Sequence, residues 1–261
     1  MKNWKNYITI FQKWEFILKN KTELTMKLSR SKWENFIRCP FCFYLKEKHN
    51  IDPPATPRFN INMRVDSLLK EEFDQLRAKQ QPHPIFKKYN LNFVPYNLDP
   101  QKLKDYRNNR RGIEAKSKKT KFILYGALDD LWLNKDTNEI VVLDYKATSN
   151  KNDPDYVNSS AEYYKSYLRQ LDFYCYLLKL NGYKVFKTGY WLICNATNAD
   201  QKIFEGNLSF KMTLLPYNLK TEYIEDILIE LEKCLELKKP PASGKHCANC
   251  FWQHEVSQFS K

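Results

Sequence analysis

The stretch Gly126-Ala-Leu-Asp129-Asp130-Leu-Trp-Leu133, followed after Asn134-Lys-Asp-Thr-Asn138 by Glu139-Ile-Val-Val-Leu-Asp144-Tyr-Lys146, decides the fold. Two apolar and β-branched runs flank a short polar connection, the pattern of a β-hairpin. A turn centred between Asp136 and Thr137 sets Asp129 opposite Asp144 on one face. Lys146 lies two residues beyond Asp144 and so joins that face, whereas Asp130 has the opposite parity and points away. Facing carboxylates repel unless a cation neutralises them. The ordinary alternative is a solvated hairpin face with an incidental ion pair.

The rest of the chain weighs against that alternative. Formal charge is +13, from 43 Lys plus Arg against 30 Asp plus Glu, which suits a polyanionic partner such as nucleic acid. A chain of 261 residues can bury a substantial core, and six glycines without low-complexity tracts argue against disorder. No apolar run is long enough to cross a bilayer. Seven cysteines, an odd number, fit a secreted disulfide framework poorly, so the expectation is a cytoplasmic protein. Met26 is a candidate alternative start, which would make residues 1–25 an N-terminal extension of uncertain role.

Helical and strand patterns alternate along the chain. Ser31-Lys-Trp-Glu34 reads as a capping box opening a helix that ends near Arg38, and Pro40 suits the first turn of the next. Phe59 to Lys79 is periodic, with Ile61, Val65, Leu68, Leu69, Phe73 and Leu76 on one side and Asp66 close to that stripe. Residues 80–120 read as irregular and basic, with Arg107, Arg110, Arg111, Lys116, Lys118, Lys119 and Lys121 clustered before the hairpin. A polar loop spans Thr148 to Ser160. A tyrosine-rich helix from Ala161 to Leu180 ends at Asn181-Gly182. Strands are expected over Val185–Cys194 and Phe204–Leu215, and a helix over Thr221–Lys238. The result is a mixed α/β (α+β) core.

Two constellations carry chemistry. Asp129 and Asp144 suit Mg²⁺ or Mn²⁺, hard ions that prefer oxygen, and Lys146 suits the orientation of water or the stabilisation of charge on a phosphate. Cys39-x2-Cys42 and Cys247-x2-Cys250 can converge as four thiolates on one metal centre, with zinc and an iron–sulfur cluster both open. Cys175, Cys194 and Cys234 read as core residues.

Gly126-x-x-Asp129 followed by Asp144-x-Lys146 resembles the active-site hairpin of the PD-(D/E)XK nuclease superfamily. Gln170-Leu-x-x-Tyr174 resembles the extra motif of its RecB/AddB-like and CRISPR-adaptation branches. The resemblance implies a restriction-endonuclease-like core, a mixed sheet flanked by helices, in one nuclease domain over residues 26–261. The core would run about 59–215, with a cysteine clasp from 31–48 and 240–255. It implies a metal-dependent deoxyribonuclease, an exonuclease on single-stranded DNA ends, guided by basic residues between 102 and 121. Helicase or CRISPR-adaptation proteins would be its partners. Gln170 and Tyr174 would line the site, and Tyr163, Tyr164 and Tyr167 are candidates to stack on bases. Where those branches carry a metal-binding histidine, this chain has Asp66, in Met63-Arg-Val65-Asp66. Cys39-Pro40-Phe41-Cys42-Phe43-Tyr44 is similar to the first part of their [4Fe–4S] clasp, which favours iron–sulfur over Zn²⁺. The C-terminal part departs from it, with two cysteines in place of three. The competing readings are a non-catalytic DNA-binding scaffold on a nuclease-like fold and a zinc-containing RNA-processing factor.

Overall fold

The computed structural model describes residues 26–54, 60–150, 162–196 and 203–259. Residues 1–25, the loop from 151 and the side chain of Tyr163 lie outside the described part. In chain order the elements are β1 (Lys27–Ser29), α1 (Arg30–Arg38), α2 (Pro40–His49), α3 (Asn60–Lys79), α4 (Pro84–Lys88), β2 (Phe93–Pro95), α5 (Pro100–Tyr106) and β3 (Ile113–Lys116). They continue with β4 (Ile123–Gly126), β5 (Asp130–Asn134), β6 (Glu139–Thr148), α6 (Glu162–Leu180), β7 (Thr188–Ala196), β8 (Phe210–Asn218), α7 (Ile224–Glu236) and α8 (Ala248–Ser257).

A five-stranded sheet in the order β2-β5-β6-β7-β8 carries the core, and a three-stranded sheet β1-β4-β3 lies beside it. The hairpin forms in the expected register, with Asp130 opposite Leu143 and Leu133 opposite Ile140. β6 and β7 are parallel, and parallel neighbours need a crossover, which α6 supplies. The alternation along β6 then sorts side chains between two cores. Ile140 and Val142 join Trp33, Phe173, Leu177 and Leu228 on the side of α1, α6 and α7. Val141, Leu143 and Tyr145 join Trp132, Leu69, Phe73 and Phe86 on the side of α3 and α4. Each fully buried aromatic or aliphatic side chain contributes roughly 1.5–3 kcal/mol, so the sheet is held from both faces.

Three expectations are corrected. The N-cap of α1 is Ser29, not Ser31: its hydroxyl accepts from the Lys32 amide at 3.1 Å, and Glu34 is buried against Arg169 at 2.6 and 2.9 Å. Residues 80–120 are ordered as α4, β2, α5 and β3, not irregular. Pro84 and Pro100 start helices of five and seven residues, capped by His83 and Asp99, and such short pieces show no periodicity. Along α3 only Leu69 and Phe73 of the apolar stripe are buried, while Ile61 and Leu68 are exposed.

Candidate active site and cysteine clasp

Gly126 ends β4, and three residues lead from it into β5, so the motif glycine sits at the junction of the two sheets. A Cβ there would lie 2.8 Å from Cε1 of Tyr174. The absence of a side chain is what lets the Tyr174 ring cross over the start of the hairpin. Tyr174 accepts from Gln170 Nε2 at 3.1 Å, and Gln170 Oε1 lies 3.5 Å from Lys146 Nζ. Lys146 Nζ also stands 4.7 Å over the Tyr167 ring and donates to Asp144 Oδ2.

Asp144 is fully buried, and its Oδ1 has no hydrogen-bond partner among the described residues. A buried carboxylate oxygen left bare is costly, by roughly 1–3 kcal/mol, unless a cation meets it. Burial pushes the Asp144 carboxyl up to about 7; Lys146 lowers it and the neighbouring Asp129 raises it further. Asp129 Oδ2 accepts from the Tyr145 amide at 2.9 Å, and its Oδ1 lies 3.4 Å from Lys70 Nζ. Asp66 Oδ2 accepts from the same Lys70 at 2.7 Å. Burial and then Asp129 raise the Asp66 carboxyl, against the pull of Lys70. For Lys70, burial works against the charge, but Asp129 and Asp66 outweigh it and raise its pKa.

These groups share one groove of about 950 Å³, lined by Asp66, Lys70, Asp129, Asp144, Lys146, Gln170 and Tyr174. All six residues singled out for this site in the sequence therefore line one groove. Carboxylate oxygens of this kind, fully buried and bare at Asp144 and part-buried at Asp66 and Asp129, fit a hard divalent cation.

Several contributors had no legible signal. Asp130 does face away, but it is fully buried and paired with Arg77, and accepts from the Tyr145 hydroxyl at 2.9 Å. Arg107 donates to Asp74 at 2.6 and 3.0 Å and, through Nε, to the Asp129 carbonyl at 2.9 Å. The basic segment before the hairpin is thus not one strip along the groove. Arg107 braces the hairpin from the groove wall, Lys119 pairs with Asp226, and Arg111 pairs with Asp105. Lys70 is the one omission with a sequence cue, since it stands four residues after Asp66 on a helix.

The two Cys-x2-Cys pairs meet at the far end of α1. Cys39 Sγ lies 3.6 Å from Cys250, and Cys42 Sγ lies 3.6 Å from Cys247 and 3.4 Å from Cys250. All four sulfurs fall within 4.8 Å of one another. Burial opposes ionisation of Cys39, but the amides of Gly244, at 3.3 Å, and Cys42, at 3.5 Å, outweigh it and lower its pKa. Burial instead pushes Cys250 up to about 12. A Cβ on Gly244 would stand 2.2 Å from the Arg38 carbonyl, so only glycine brings that amide to the sulfur. The donor set fits a thiolate-loving metal.

The model of the PD-(D/E)XK nuclease superfamily matches residues 27–254, and the chain belongs to that superfamily. Membership points to metal-dependent cleavage of nucleic acid. No curated protein matches. Among solved structures, the crystal structure of SSO0001 is similar over 97% of this chain and 96% of its own, at 12% identity and a TM-score of 0.43. That likeness is too loose to bear on function.

Proposed function

We propose that the protein is a Mg²⁺- or Mn²⁺-dependent deoxyribonuclease acting on single-stranded DNA ends, with residues 26–261 as one nuclease domain. The observation that carries the reading is the bare, buried Asp144 Oδ1 beside Asp129 and Lys146 in an open groove. Asp129 and Asp144 would hold the metal, with Asp66 completing the set. The ion, when bound, supplies Lewis-acid polarisation of the phosphate and a more acidic water. Lys146 orients the attacking water and meets negative charge building on the phosphate oxygens. Gln170 and Tyr174 keep Lys146 aimed, because its ammonium is held between Gln170 Oε1, the Tyr167 ring and Asp144. Hydrolysis adds the water oxygen to phosphorus, breaks one P–O ester bond, and passes a proton to the leaving oxygen.

Single-stranded substrate is supported by the shape of the surface. The groove shares Arg30 and Ser31 with a second hollow, which in turn shares Arg38 and His246 with the hollow beside the clasp. A flexible strand can follow such a track, with cations meeting its phosphates.

At the clasp, four sulfurs within 4.8 Å of one another support one shared metal centre. The stretch Cys39-Pro40-Phe41-Cys42-Phe43-Tyr44 favours [4Fe–4S] there, with Zn²⁺ the alternative.

Labelled single-stranded DNA, duplex DNA and RNA incubated with Mn²⁺ test the activity. Wild-type protein is expected to degrade single-stranded DNA from its ends, with Lys146→Ala and Asp144→Asn slower by roughly 10²–10⁴-fold. Undiminished cleavage by Lys146→Ala would remove the proposed site, and preferential cleavage of RNA would reassign the substrate. A brown chromophore, with iron in metal analysis of anaerobically purified protein, is the expected result for the clasp; colourless protein containing zinc would reassign the centre to Zn²⁺.

A further inference from the structure

The groove holds a cation that the nuclease reading leaves without a role. Lys70 Nζ stands between Asp66 Oδ2 at 2.7 Å and Asp129 Oδ1 at 3.4 Å, and the side chain is only 22% exposed. An ammonium between two carboxylates does what a divalent ion does at the same oxygens: it cancels their repulsion and occupies their lone pairs. Asp144 has no such service for its Oδ1, although Lys146 meets its Oδ2. The Asp66 and Asp129 oxygens that face Lys70 are therefore already served from within the chain, and Asp144 Oδ1 is open.

Charge in the groove gives this arrangement a consequence. In the ionised state Asp66, Asp129 and Asp144 face Lys70, Lys146, Arg30 and Arg107 along the groove, so cations already outnumber carboxylates there. Adding a divalent ion raises the positive excess in a partly buried site, which is unfavourable. A phosphodiester brings negative charge and offsets part of that excess. Without Lys70 the excess that the metal meets would be smaller by one charge.

We infer that Lys70 is a resident counter-ion that competes with the divalent metal for Asp66 and Asp129 and couples metal binding to nucleic-acid binding. The inference rests on the metal-site reading above. Linkage makes the coupling reciprocal: the strand tightens the metal by the factor with which the metal tightens the strand. The released ammonium then faces the phosphate in the same groove. The isolated enzyme would hold its metal weakly and load it fully only with substrate present.

Mn²⁺ titration followed by electron paramagnetic resonance, with and without a non-cleavable phosphorothioate oligonucleotide, tests this. Lys70→Met is expected to bind Mn²⁺ at least about tenfold more tightly than wild type in the absence of oligonucleotide. The oligonucleotide is expected to tighten Mn²⁺ binding by wild type about fivefold or more, and to do little for the variant. Lys70→Gln keeps a hydrogen-bond donor for Asp66 without the charge and serves where the methionine variant does not fold. Unchanged or weaker Mn²⁺ binding by either neutral variant overturns the competition, and an oligonucleotide without effect on wild type overturns the coupling. Asp144→Asn separates the two levels. If it retains wild-type Mn²⁺ affinity, the metal-site reading is wrong. If it loses Mn²⁺ while the Lys70 variants bind as wild type does, the site stands and the counter-ion role falls.

Discussion

Position 126 shows how one atom's absence organises the site. Gly126 needs no unusual backbone angle; it is required because the Tyr174 ring occupies the space of its Cβ. Tyr174 is buried, and its hydroxyl meets Gln170, which in turn reaches Lys146. Gly126→Ala is therefore expected to push the ring aside, destabilising the protein by about 1–3 kcal/mol and lowering cleavage more than substrate binding. Urea denaturation and a comparison of kcat with KM measure the two effects. An alanine variant with wild-type kcat would show that the Tyr174–Gln170 contact does not position Lys146.

Helix α6 has work on two sides. Its Gln170 and Tyr174 face the groove, while Asp172 is buried on the opposite flank, accepting from the Lys220 amide at 2.7 Å and from the Tyr223 and Tyr217 hydroxyls at 2.9 and 3.1 Å. Burial nevertheless wins and pushes the Asp172 carboxyl up to about 6, with those donors lowering it less. A carboxyl whose folded pKa lies above its unfolded one binds its proton more tightly when folded. Its contribution is fully present below the unfolded value, near 3.8, and is lost as pH rises through about 6. The swing is of order 2–3 kcal/mol. Asp172→Asn keeps the shape without the charge, so its stability relative to wild type is expected to be greatest at about pH 7.5 and to shrink toward pH 4.5. Equal differences at both pH values in denaturant titrations would contradict the assignment. The short helices α4 and α5 make the complementary point about elements: each starts at a proline behind a side-chain cap, but neither is long enough to show a period.

On the scale of the whole molecule, the clasp joins two stretches about two hundred residues apart in sequence. Helix α8 buries none of its residues, and Phe251 and Trp252 on it are 69% and 66% exposed. Apolar packing therefore contributes little to its attachment, and Cys247 and Cys250 are its link to the N-terminal pair. Removing the clasp metal, by chelation or by Cys250→Ala, is expected to expose residues 240–259 to protease while the sheet core keeps its protection. Limited proteolysis read by mass spectrometry checks this. Loss of protection throughout the chain would instead make the clasp part of the global folding unit.

Much of this was legible in the chain itself. The hairpin register follows from period-two alternation and a polar turn, both local, so Asp129, Asp144 and Lys146 could be placed on one face before any fold was known. The helical spacing of Gln170 and Tyr174 and the paired cysteine motifs are local too. What the tertiary structure alone decided is which distant charges meet those groups. Lys70 comes to Asp129 from a helix packed on the other face of the sheet, and Arg77 and Arg107 come to Asp130 and the Asp129 carbonyl from beneath the hairpin. No period in a sequence reports such encounters. They depend on how elements cross, and burial then turns an exposed lysine or arginine of unremarkable appearance into a counter-ion.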